Sequence, residues 1–357
     1  MNMQAKVNTS IETDQPSNAE DPGRAPLPLD FRRLFIRHEY IDPVMDSIEE
    51  VLAIYRMEGN PKCLLIMGPS GSGKTRLIKK VCQLGRPIAQ HPKEIRSIVA
   101  CEVPSPTSVK GLVTTLLGCL GVQDPERGTT VTQTERLIRL IQSLGIEMLI
   151  LDEFQHLVER RSNEVIEGVA DWLKVIINRM QIPVILVGLP DSESVFAKDD
   201  RGQLRRRFTK QMKIEPFVWQ GADEFEDGQV YKTLLRIIEQ QLDLPAPSNL
   251  ADEHVAKRML IASRGLIGYT AMLVEDTYRA VKKANLRKID IASLSQVFVN
   301  STVRQDCVLP DPFLASDTEI ELVLSKSLAA PCRADGFNGR MRSNPKEGDG
   351  VSLNGGR

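Results

Sequence analysis

The sequence predicts an α/β domain on a parallel five-stranded sheet, followed by a small all-helical domain. Short apolar runs alternate with amphipathic helical segments between Lys62 and Phe217. One of those runs leads into a glycine-rich loop that opens a helix. After Trp219 the strand pattern stops and only helical segments follow.

Residues 1–28 are rich in Ser, Asn, Asp, Pro and Gln without apolar periodicity, which predicts a disordered tail. Residues 29–60 form a leading segment, mixed aromatic and basic, and a first helix. Within Asp42–Met57 the residues Val44, Ile48, Val51, Leu52 and Tyr55 recur at helical spacing, and Asp42-Pro43 suits a helix start. Residues 61–220 carry five apolar runs: Cys63–Met67, Ile98–Val103, Met148–Leu151, Val184–Val187 and Met212–Phe217. Apolar on both faces, they read as parallel strands covered by helices on two sides. The covering helices are expected over Thr75–Leu84, Ser108–Leu120, Gln133–Ser143 and Glu164–Met180. Residues 221–302 are expected to form four lid helices, over Asp223–Leu242, Ala251–Ser263, Ile267–Asn285 and Asp290–Val299. Residues 303–357 read as a largely disordered extension, in which Ala315–Leu328 retains enough apolar spacing for a docking element.

Composition narrows the class further. The 357 residues include 46 Lys+Arg against 47 Asp+Glu, so the chain is not basic overall. Nucleic-acid contact then has to come from a restricted surface. No stretch approaches the roughly 18 apolar residues of a membrane span, and the N-terminus lacks a secretory signal pattern. The six cysteines are scattered without a C-x-x-C pair and the four histidines lack ligand spacing. Reduced thiols in a cytoplasmic protein are the expectation.

Gly68-Pro69-Ser70-Gly71-Ser72-Gly73-Lys74-Thr75 matches G-x-x-x-x-G-K-[ST] between a strand and a helix. The glycines let backbone N–H groups turn inward around phosphates, and the helix N-terminus adds its dipole. Lys74 is expected to reach the β- and γ-phosphates of ATP, Thr75 to ligate Mg²⁺, and Arg76 to complete the nucleotide-binding set. Met148–Leu151 ends in Asp152-Glu153, two carboxylates delivered beside the loop. Asp152 is expected to hold the metal and Glu153 to polarise the attacking water. The strand Val184–Val187 ends in Gly188-Leu189, where many ATPases of this layout carry a polar sensor. No sensor residue can be assigned there. Arg205-Arg206-Arg207-Phe208 precedes the last core strand without an acid among the arginines. Arg207, and after it Arg206, is the expected arginine finger, inserted into a neighbouring subunit's ATP site.

Together these elements resemble the AAA+ ATPases. Asp152-Glu153-Phe154-Gln155-His156-Leu157 and Arg37-His38-Glu39-Tyr40-Ile41 are more narrowly similar to the TniB/TnsC transposition regulators. The resemblance extends over about Phe31–Thr302. It implies an ATPase that oligomerises as rings or filaments on double-stranded DNA and recruits a DDE transposase. The resemblance also implies a target-selection protein as a further partner. Initiator-type members often add a lid arginine. The corresponding segment here, Ser263–Gly268, offers Arg264, which equally suits a helix cap. A helicase loader or IstB-like remodeller is the near alternative, and an ExeA-like secretion ATPase the distant one. DNA contacts are expected at Thr107 and Lys110 and at Arg160 and Arg161, loops that face the pore in rings of that type. They lack aromatic stacking platforms, so backbone tracking with little sequence preference is expected.

Overall fold

The computed structural model describes residues 11–13, 34–89, 95–159, 161–197, 204–219 and 228–329. A short antiparallel ribbon pairs β1 (Ile11–Thr13) with β2 (Leu34–Ile36). Residues 11–13 therefore depart from the expected disordered tail, since extended Ile and Thr find a strand to pair with. The rest of residues 1–28 lies outside the described residues. Helix α1 (Asp42–Glu58) starts where the His38 carbonyl accepts the Asp42 N–H at 3.0 Å. It ends at Gly59 in the left-handed conformation.

The core follows as β3 (Leu64–Met67), α2 (Lys74–Gln83), β4 (Ile98–Glu102), α3 (Val109–Cys119), α4 (Thr130–Leu144), β5 (Met148–Asp152), α5 (Asn163–Met180), β6 (Val184–Gly188), a one-turn α6 (Ser194–Ala197) and β7 (Lys210–Lys213). The sheet order is β4-β5-β6-β3-β7, with every pair parallel. Strands β3, β5 and β6 are buried along their whole length, which is why they read as unbroken apolar runs. Alternate side chains face two layers. Leu65, Leu149 and Leu186 pack with Leu112, Leu137 and Leu173 of α3, α4 and α5. Leu64, Ile66, Ile150 and Ile185 pack with Ile48, Leu77 and Val81 of α1 and α2.

The last strand departs from expectation. It covers Lys210–Lys213 rather than Met212–Phe217, and its side chains are mostly exposed. As an edge strand it pairs, among the described residues, only with β3, through the backbone, so no apolar run marks it.

Glu147, immediately before β5, anchors that strand. Its carboxylate accepts from Arg56 Nε at 3.1 Å and Nη2 at 2.7 Å, from Ser97 Oγ at 2.6 Å, and from Arg86. Although burial opposes the charged form, these donors hold the carboxyl down at about 2.

The helical domain comprises α7 (Gln229–Gln240), α8 (Glu253–Ser263), α9 (Ile267–Lys283), α10 (Ile291–Val299) and α11 (Asp317–Ala329). Tyr231, Leu235, Met259, Val274 and Phe298 fill its core, and Ile320 and Leu324 of α11 join the same cluster. Arg258 Nη2 ties α11 down by donating to Ala315 O at 3.0 Å and Asp317 Oδ1 at 2.8 Å. Residues 303–329 thus complete the helical domain instead of beginning a disordered extension. Residues 330–357, and residues 223–227 of the first expected lid helix, lie outside the described residues. Among the described residues no helix is long and apolar enough to cross a membrane.

Candidate nucleotide site

The parallel register brings the C-terminal ends of β3, β5 and β6 to one edge. Met67 stands opposite Gly188, and Glu102 of β4 opposite Asp152. Open parallel sheets bind ligands at this edge. The loop Gly68–Gly73 leaves β3 here and feeds α2, with Gly73 at φ +95° as the residue before the helix. Only glycine adopts that conformation without strain.

Lys74 is 5% exposed, and its ammonium donates to Gly68 O at 2.8 Å and Pro69 O at 2.9 Å. Burial pushes its pKa below the ordinary lysine value, while Glu153 and Asp152 oppose that shift. Thr75 Oγ1 donates to Asp152 Oδ2 at 3.4 Å, so hydroxyl and carboxylate converge. Burial pushes the Asp152 carboxyl above its usual range. The buried Ser72 hydroxyl has no hydrogen-bond partner among the described residues. An ammonium, a hydroxyl, a carboxylate and a helix N-terminus in one cleft fit a magnesium–nucleoside polyphosphate.

Glu153 sits next to this set in the left-handed region at φ 54°, a conformation that costs about 1 kcal/mol or more for a non-glycine residue. Its N–H donates to Asp152 Oδ1 at 2.9 Å, and its carboxylate accepts from the Gln155 amide. The two carboxylates therefore stand side by side with distinct hydrogen-bond roles.

The lid rests directly on the loop. Gly268 N–H, in the first turn of α9, donates to Gly71 O at 2.8 Å. A Cβ on Gly268 would lie 2.9 Å from Gly71 O, so the two backbones touch. Tyr269 packs over Gly71 and Ile267 over Gly73. His38 and Tyr40 pack tilted and edge-on against Phe217, with ring centroids 4.8 and 5.1 Å apart. Burial drives the His38 imidazole down to about 4, so it packs as a neutral ring.

The structure brings Gly68, Pro69, Ser70, Gly71, Ser72, Gly73, Lys74, Thr75, Asp152 and Glu153 into one site, with half-buried Arg76 on the first turn of α2. The arginines lie elsewhere. Arg207 donates to Asn178 of its own chain, at the far end of α5, whereas Arg206 is exposed. Arg264 ends α8 in a left-handed conformation and pairs with Asp306 at 3.5 Å, the capping alternative. The two expected DNA-contact loops are joined, since Arg161 Nη2 donates to Thr107 O at 2.8 Å. They border a cleft of about 290 Å³ lined by Ser105, Pro106, His156, Glu159 and Arg161, with Lys110 exposed nearby on α3. Arg160 lies outside the described residues.

Sequence reasoning missed two residues. Gln155 is a buried amide in the turn after the acidic pair, and Gly268 is a glycine within a helical pattern, where its low helix propensity is the one local signal.

A profile of the family described as bacterial TniB protein matches residues 32–218. No curated protein sequence matches. Among solved structures the fold is similar to Cdc6p from Pyrobaculum aerophilum, at 13% identity and TM-score 0.54, covering 78% of this chain and 69% of that one. It is also similar to the Aeropyrum pernix ORC1 protein in complex with DNA, at 14% identity and TM-score 0.53, covering 73% and 65%. The ADP form of the Aeropyrum pernix ORC2 protein gives 13% identity and TM-score 0.51, covering 80% and 72%. The architecture is the AAA+ P-loop fold, a parallel five-stranded sheet with a helical lid.

Proposed function

The chain belongs to the family of bacterial TniB proteins, and from that premise we propose that it is an ATP-hydrolysing regulator of DNA transposition. On this reading it oligomerises on duplex DNA, recruits a DDE transposase, and uses hydrolysis to disassemble. The observation that carries the reading is the convergence of Lys74, Thr75, Asp152 and Glu153 at one sheet edge beneath the lid. Lys74 holds phosphate oxygens once it leaves the Gly68 and Pro69 carbonyls. Thr75 and Asp152 hold the magnesium ion, which supplies charge neutralisation at the phosphates. Glu153 accepts a proton from the attacking water and orients it. The lid's contact with Gly71 couples phosphate-loop geometry to the helical domain.

Arg207, or Arg206, which is exposed, is the proposed arginine finger for a neighbour's site. DNA contact is assigned to the linked loops at Thr107, Lys110 and Arg161, and the related ORC1 fold was solved with DNA bound. The near balance of charge fits few contacts per subunit, multiplied around an oligomer.

The test is ATP turnover by Glu153→Gln beside the wild type. Hydrolysis should fall by about 100-fold with nucleotide binding retained. Normal turnover would contradict the role of Glu153.

A further inference from the structure

Strand β6 ends in Gly188, which has no side chain to present to the nucleotide cleft. The space that a Cβ there would fill is taken by polar atoms from two other elements. Gln155 Oε1 lies 2.5 Å from that Cβ position and Ser192 Oγ is closer still. Both residues are buried, Gln155 to 1% exposure.

Gln155 belongs to the single 3-10 turn Phe154–Leu157 that follows β5 and Glu153. Both ends of its amide are engaged. Oε1 accepts the Leu189 N–H at 3.0 Å, and Nε2 donates to the Glu153 carboxylate. The orientation follows from chemistry. A reversed amide would set NH₂ against the Leu189 N–H and oxygen against the carboxylate, two repulsive pairs. One buried amide therefore bridges the end of β6 to Glu153. The same strand end is tied to the phosphate loop, because Gly188 O accepts the Gly68 N–H at 3.1 Å.

We propose that Gln155 is the positioning residue for Glu153, filling from the turn after β5 the place where a strand-end polar side chain would sit, and that position 188 is glycine to admit it. The proposal rests on reading Glu153 as the residue that orients the attacking water. Movement of the phosphate loop is transmitted along Gly68–Gly188, Leu189–Gln155 and Gln155–Glu153. The carboxylate, already on a left-handed backbone, then points where the amide sends it.

Three variants separate the two ends of the bridge. Gln155→Glu keeps an acceptor for Leu189 N–H but replaces the donor facing Glu153. Gln155→Met keeps the volume and removes both bonds. Gly188→Ala pushes the amide out of its place. The readouts are affinity for a non-hydrolysable ATP analogue, turnover, and hydrogen exchange of the Leu189 amide in protein without added nucleotide. Affinity should stay within about threefold while turnover falls about 10- to 100-fold in all three. Leu189 exchange should accelerate at least about tenfold in Gln155→Met and Gly188→Ala and stay as in the wild type in Gln155→Glu. Wild-type turnover in both Gln155 variants, or unchanged Leu189 exchange in Gln155→Met, would overturn the proposal. Normal turnover in Glu153→Gln would instead overturn the function reading, leaving the exchange data to decide the bridge.

Discussion

Glu147 sets the level of β5, and its removal has a calculable signature. Its carboxyl is held at about 2 against an ordinary 4.5 by Arg56, Ser97 and Arg86. At 1.36 kcal/mol per pH unit that difference corresponds to about 3 kcal/mol. Arg86 is 71% exposed and Arg56 31%, so solvent screening reduces this to about 2 kcal/mol. A carboxylate with a lowered folded pKa stabilises above its unfolded value, and that contribution is lost as pH falls through the folded value. The Glu147→Gln variant should therefore be about 2 kcal/mol less stable at pH 7. The gap should hold down to about pH 5 and narrow progressively from there toward pH 2. Urea unfolding of both proteins across that range, followed by circular dichroism, measures it. A gap of the same size at pH 7 and pH 2.5 would refute the electrostatic account and leave only packing.

Lys74→Met should weaken ATP binding by about 100-fold, the loss of one charge-assisted contact, with circular dichroism unchanged; titration with a fluorescent ATP analogue decides it, and retained affinity would remove Lys74 from the site. Thr75→Ala should raise the magnesium concentration giving half-maximal turnover by about tenfold, and an unchanged magnesium profile would detach Thr75 from the metal. Gly268→Ala gains up to about 1 kcal/mol of helix propensity, but its Cβ would lie 2.9 Å from Gly71 O, so the Gly71 backbone has to give way. Nucleotide affinity should fall about tenfold with no loss of melting temperature, and unchanged affinity would show that the lid contact does not govern the loop.

The parts of the fold that were legible were those whose chemistry is local. Strands β3, β5 and β6 announce themselves because both faces are buried. The phosphate loop does so because its backbone requires glycine at fixed positions. Strand β7 was misplaced because Gln211 and Lys213 lie on an edge, where backbone pairing alone holds the strand. Helix α11 was legible as apolar spacing within Ala315–Leu328, but its seat on the helical domain was not, since Ile320 and Leu324 lie among charged residues and the helix is tied down by Arg258 some 60 residues earlier. The bond of Arg207 to Asn178 and the bridge through Gln155 are likewise tertiary. They join segments 29 and 34 residues apart, beyond any periodicity.

The most direct test of the central claim is the mass of the protein on duplex DNA, followed by mass photometry with ATP and magnesium for the wild type and Glu153→Gln. ATP-dependent oligomers should form on DNA, disperse as the wild type hydrolyses ATP, and persist in Glu153→Gln. A protein that stays monomeric and off DNA under all of these conditions would contradict it.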